Sequence, residues 1–231
     1  RTSTVPAVLI ELLSHQNYTD MKFGLDPEFR FDVSRSVYKG MLKYLSSRYG
    51  IPYVVQPLPV ASTALWYKDE NTAVLSWKAV EDELEPTATA ESFRLYTRTG
   101  DGVFDQGRAV SPEISNGRCY LEIPVKEGIV YGFRVTALNS GGESFPSAVM
   151  SIGRPSGSVL PQTVAVVDNF DRIAAPAWYD GSEIAGFDDN LDHGVAWTVG
   201  TNYIGSQYDN KRKDNPWKDD ENPGFGASYQ D

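Results

Sequence analysis

The sequence predicts a multidomain chain: an α/β piece, then an all-β sandwich, then the opening of a second α/β segment. Three observations predict it. Apolar residues recur at helical spacing between Asp26 and Gly50, the period switches to two from about residue 60 to 155, and Pro-, Gly- and Ser-rich stretches flank that switch. The divisions are residues 1–56, 57–155 and 156–231.

Residues 5–13 of "TVPAVLIELLSHQN" read as a buried strand, aliphatic and β-branched, that ends in the carboxylate Glu11 with His15 four positions later. The following stretch carries helix start and stop signals: Asp26 as cap, Pro27 at the first helical position and Gly50 as the terminal residue. Val33, Val37, Met41 and Leu45 form a stripe, widened by Tyr38 and Leu42, that predicts one packed face. "GIPYVVQPLPVAS" holds three prolines and reads as a semi-rigid spacer, with the boundary near Gln56.

Short alternating runs follow: "TAVLSWKAV", "SFRLYTR", "RCYLEIPV", "VYGFRVTAL" and "SAVMSIG". Separated by turn residues and with no helical pattern among them, they predict two packed sheets. "VEDELEPTATAES" reads as a solvated polar loop, and Cys119 as a small core residue. "GRPSGSVLP" is a second linker. Beyond it "TVAVVDNFDR" reads as a buried strand ending at Asp168, Asn169 and Asp171, and "GVAWTVGTNYIGSQYD" as a further strand or helix.

Within the sandwich, "NTAVLSW" resembles the second strand of a fibronectin type III domain, with Trp77 as its core tryptophan. "YGFRVTALNSGGESFPS" is similar to that family's sixth strand, turn and seventh strand, with Tyr131 at the tyrosine position and Asn139 before the Gly-Gly turn. The resemblance implies structural roles for Trp77 and Tyr131.

The chain has 231 residues, 41% of them apolar, and a net charge of -10, enough apolar content for a real core. The acidic balance argues against nucleic acid and anionic membranes as main partners, because both require basic surface. One cysteine excludes a disulfide framework and a Cys-based metal site. No run reaches the roughly 20 apolar residues of a spanning helix, so no transmembrane segment is expected. No leading methionine or signal peptide is present, and the ends at Arg1 and Asp231 are expected to be those of a piece of something longer.

The opening stretch resembles the last strand of the zinc-dependent N-acetylmuramoyl-L-alanine amidases. In that family a Pro, an aliphatic strand and a Glu precede an Asn and an Asp at set distances, and Pro6, Glu11, Asn17 and Asp20 fall on those positions. The resemblance covers about the first 55 residues. It implies that Glu11 is the catalytic carboxylate, general base to a zinc-bound water. The alternative is a buried or edge carboxylate paired with a cation such as an Arg. His15 is a candidate substrate contact or a satisfied loop or pocket-wall histidine. Asn17 is a candidate for substrate binding, and with Asp20 for closing the loop through side chain to backbone hydrogen bonds. A catalytic zinc takes about three protein ligands. The family's two His and one Glu lie upstream of this strand, and His15 and His193 are the only histidines here, so zinc is expected only in an intact enzyme whose ligands are not in this chain.

In the third segment Asp188, Asp189, Asn190 and Asp192 read as calcium-type ligands or a solvated acidic turn. Trp178, Trp197, Trp217, Tyr203, Tyr208 and Phe225 read as core or as a sugar-binding surface. "KRK" at 211–213 is too short for a nucleic-acid patch. The domain order, with "NFDRIAAPAW" and "NPGFGASY", is similar to secreted bacterial proteins labelled xanthan lyase. The expected function is therefore a fragment of an exported cell-wall hydrolase: periplasmic, surface-bound or secreted, and acting on peptidoglycan or another bacterial or plant glycan. The rivals are a non-catalytic surface glycan-binding or scaffold protein, or a polysaccharide-degrading protein of the kind labelled xanthan lyase.

Overall fold

The computed structural model describes residues 6–157, 164–166 and 175–187, together with the backbone of 198–199 and 208–209. Residues 6–14 form no strand, which corrects the expected strand over 5–13. An extended run becomes a strand only when a neighbour takes up its N–H and C=O groups. Among the described residues nothing pairs with it, and Val8 and Leu9 are 86% and 82% exposed.

Two helices follow, α1 (Tyr18–Gly24) and α2 (Pro27–Tyr49). The second agrees with its sequence signals. Asp26 accepts from the Glu28 and Phe29 amides, Pro27 occupies the first turn, and Gly50 closes the helix at a left-handed φ of 66°. The apolar stripe is packed only in part, with Val33, Val37, Tyr38 and Leu42 half-buried. Met41 and Leu45 lie exposed, while Arg35, Tyr38 and Lys39 turn toward the sandwich.

The sandwich comprises β1 (Ala61–Asp69), β2 (Thr72–Lys78), β3 (Ser92–Thr99), β4 (Arg108–Val110), β5 (Glu113–Ser115), β6 (Arg118–Pro124), β7 (Val130–Asn139), β8 (Gly142–Glu143) and β9 (Met150–Gly153). One sheet has the order β1-β2-β6-β5, the other β4-β3-β7-β8, with β9 also paired to β7. Every pairing is antiparallel. The all-β sandwich expected for this segment is present. Alternation does the sorting: Ala73, Leu75 and Trp77 from one sheet meet Phe93, Leu95, Phe133, Val135 and Ala137 from the other. Trp77 and Phe93 meet edge to face with centroids 5.3 Å apart. Cys119 belongs to the same core as a free thiol, and burial pushes its pKa up. Tyr131 stacks on Phe133, and its hydroxyl accepts from the Lys126 amide at 3.2 Å, tying the turn before β7 to the strand itself.

The chain between α2 and β1 is more than the semi-rigid spacer its prolines suggest, because it is packed into the fold. Val55 is wholly buried, and Pro57 and Val60 are buried with it. Asn139 explains the packing: its amide donates to the carbonyls of Val55 and Thr87 at 2.8 and 3.0 Å. At Gly141 an added Cβ would lie 2.4 Å from the Val54 carbonyl oxygen, so only a residue without a side chain lets the two backbones approach.

In the third segment β10 (Trp178–Asp180) and β11 (Ala185–Phe187) pair antiparallel, as do β12 (Thr198–Val199) and β13 (Tyr208–Asp209). The described residues there hold these antiparallel pairs and no helix, and most of the expected α/β opening lies outside the described residues. Residues 164–166 of the expected strand are exposed and have no strand partner among the described residues, and Asp168, Asn169 and Asp171 lie outside the described residues. The hairpin of β10 and β11 packs on α1. Tyr18 donates to the Tyr179 carbonyl at 3.0 Å and touches Phe187, and the Lys22 ammonium sits 5.1 Å from the Trp178 ring and 3.5 Å from Asp180.

Candidate functional site

Glu11 lies on the irregular, exposed segment before α1, and His15 on the exposed turn that leads into it. Asn17 is the N-cap of α1: its side-chain oxygen accepts from the Thr19 and Asp20 amides at 2.9 and 3.3 Å. Asp20 in turn accepts from the Ser14 amide at 3.0 Å, closing the turn around His15. The loop-closing reading of Asn17 and Asp20 thus has its geometry. Glu11 is exposed and not set at a strand end.

Among the described residues no group of three or more His, Cys, Asp or Glu could hold a metal ion. The described residues therefore do not fit a zinc site. Asp188, Asp189, Asn190 and Asp192, the Lys-Arg-Lys run at 211–213, His193, Trp197, Tyr203, Trp217 and Phe225 lie outside the described residues, as does the side chain of Tyr208.

Two side-chain clusters do converge. The first joins α2 to the sandwich. Asp82 receives Arg35 Nε at 2.8 Å and Lys39 Nζ at 2.9 Å on one carboxylate oxygen, with the three side chains only 10%, 10% and 17% exposed in the order Asp82, Arg35, Lys39. Arg35 also donates to the Gln56 carbonyl. Burial pushes the Asp82 pKa up, but the two cations outweigh it and hold the group below the usual carboxylate range. Beside it, Tyr53 donates to Glu85 at 2.7 Å, and Thr87 bridges Glu85 to the Val55 amide. Burial and the Glu85 bond push the Tyr53 pKa up to about 12. Glu85 is held low by its two hydroxyl donors against the opposing effect of burial. The loop of residues 80–92, expected to be solvated, is thus one wall of a buried polar joint.

The second cluster covers the outer face of the sheet containing β3 and β7. Arg94, Tyr96 and Arg98 alternate along β3, and register places Arg134 opposite Tyr96 and Gly132 opposite Arg98. Glu143 collects Arg94 Nη1, the Tyr96 hydroxyl and the Thr136 hydroxyl, each at 2.6 Å. Burial pushes the Glu143 pKa up, yet these donors and Arg134 keep it low. The Arg134 guanidinium lies 4.2 Å from the Phe104 ring centroid and 5.1 Å from that of Tyr96, and the Arg98 guanidinium lies 5.0 Å from Phe104. Burial, reinforced by Arg98, pulls the Arg134 pKa down.

Sequence reasoning could have found the second cluster, since period-two alternation in "SFRLYTR" places its arginines on one face. Nothing local signals the first, because Arg35 and Asp82 stand 47 residues apart.

No family model matches the chain, and no curated protein matches it. Solved structures do. One titled "Myokine structure" is 22% identical, covers 43% of this chain and 99% of its own, and has a TM-score of 0.33. The solution structure of the fn3 domain of human collagen alpha-1(XX) chain is 16% identical, with coverages of 47% and 94% and a TM-score of 0.33. The third fibronectin III domain of the human KIAA0343 protein is 13% identical, with coverages of 48% and 90% and a TM-score of 0.36.

Proposed function

We propose that this chain is a non-catalytic connecting module of an exported multidomain protein, in which a fibronectin type III sandwich holds the helical segment before it at a fixed angle. The carrying observation is the Asp82 joint: two cations and one carboxylate, desolvated together between α2 and the sandwich. A free linker would leave these groups in water, where they contribute little to orientation. A buried, hydrogen-bonded set is strongly geometry-dependent, and the wholly buried Val55 anchors the connecting chain beside it. Spin labels at Ser47→Cys on α2 and Glu113→Cys on β5, in a Cys119→Ala background, test this. A rigid connector gives one narrow distance distribution, and a broad one refutes it.

The hydrolase reading rests on the spacing of Pro6, Glu11, Asn17 and Asp20. In it the module presents an amidase-type domain to peptidoglycan, with zinc held by residues outside this chain. In a longer protein that releases peptide stems from peptidoglycan, Glu11→Gln removes that release with zinc still bound. Undiminished release ends the role given to Glu11.

A further inference from the structure

Arg98 and Arg134 have more donors than the fold uses. Among the described residues neither side chain has a hydrogen bond or ion pair, and Arg98 Nε, Arg98 Nη2 and Arg134 Nε are buried without a partner. Buried donors in native folds are nearly always satisfied, so two orphaned guanidiniums on one face call for an acceptor. Glycines also make room for Arg98 and for its neighbours Arg94 and Tyr96. A Cβ at Gly132 would lie 3.2 Å from Arg98 Nε, and one at Gly107 would lie 2.7 Å from Arg94 Cδ and from the Tyr96 ring.

We propose that the outer face formed by Arg98, Phe104 and Arg134 binds a carboxylate presented by an acidic polypeptide segment. Phe104 is shared by both guanidiniums, 5.0 Å from that of Arg98 and 4.2 Å from that of Arg134, which gathers the two cations around one aromatic ring. The local charge sets the valence. Arg94, Arg98 and Arg134 supply three positive charges and Glu143 and Asp105 two negative ones, leaving a single excess positive charge that suits a monoanionic carboxylate better than a doubly charged phosphate. The site lies on an open sheet face beside the edge strand β4, and Val103 next to Phe104 is 92% exposed. That combination suits a protein segment carrying an Asp or Glu next to an apolar residue.

The test uses the 231-residue chain, ¹⁵N-labelled, titrated with the capped hexapeptide of alternating Val and Glu and with its Val and Gln counterpart. The acidic peptide should shift the Nε–H signals of Arg98 and Arg134 saturably, and about 1 M salt should suppress the effect. Arg98→Gln and Arg134→Gln should each weaken binding roughly tenfold or more. Lys78→Gln, the same charge change on the opposite sheet, should leave binding unchanged. Arg134→Lys keeps the charge without the planar fork and carries the test if the Gln variant fails to fold, with weakened binding again expected. No saturable shift, an equal response to the Gln peptide, or binding of oligogalacturonate without binding of the acidic peptide overturns the proposal.

Discussion

Replacing Asp82 by alanine is the sharpest probe of the joint between α2 and the sandwich. The carboxylate lies 2.8 Å from Arg35 Nε and 2.9 Å from Lys39 Nζ. At an effective dielectric constant of about 20, each contact is worth roughly 6 kcal/mol before desolvation is counted. Most of that gross attraction offsets the cost of taking three charges out of water. What the substitution exposes is that cost with its compensation removed: two cations, little exposed, facing each other without a carboxylate. Breaking a buried pair in this way costs about 3–5 kcal/mol. The loss falls on the docking of α2, since the sandwich core contains none of these residues. Native-state hydrogen exchange separates the two. Amides in the middle of α2 should lose roughly two to three and a half powers of ten in protection, while those of β7 stay as they were. A change in α2 below about threefold, or an equal change in β7, would refute the reasoning.

The joint should also titrate. Asp82 and Glu85 have depressed pKa values in the fold, so their stabilisation is present above about pH 4 and lost as pH falls through the folded values, which α2 exchange below pH 4 will report. On the alkaline side Tyr53 is raised to about 12, so its contribution is present below about pH 10 and lost as pH rises toward that value, followed by far-ultraviolet dichroism. Trp77→Ala, at a wholly buried position, should cost the sandwich about 3–5 kcal/mol in urea denaturation. Trp77→Phe should cost less, about 1–2 kcal/mol, because the indole N–H it removes has no partner. Gly141→Ala forces Val54 away from the turn and should cost about 1–3 kcal/mol, seen first as faster exchange of the Val55 amide.

Sequence alone determined the elements whose causes are local. α2 runs between Asp26 and Gly50 because capping and the left-handed terminal residue are decided within a few positions. β2, β3, β6 and β7 were legible because alternation fixes which side chains face inward, and Trp77, Phe133 and Val135 are buried as that period requires. The ladder of Arg94, Tyr96 and Arg98 follows from the same rule on the opposite face. Tertiary structure decided everything that depends on a partner distant in the chain. The aliphatic run ending at Glu11 has strand composition but no paired neighbour among the described residues, and composition cannot satisfy backbone hydrogen bonds. The acidic loop after β2 looked solvated because charge normally is, yet Arg35 and Lys39 meet Asp82 there and make burial tolerable. Likewise three prolines describe a stiff segment, while partners distant in the chain, among them Arg35, Thr87, Asn139 and Gly141, turn that segment into a packed joint.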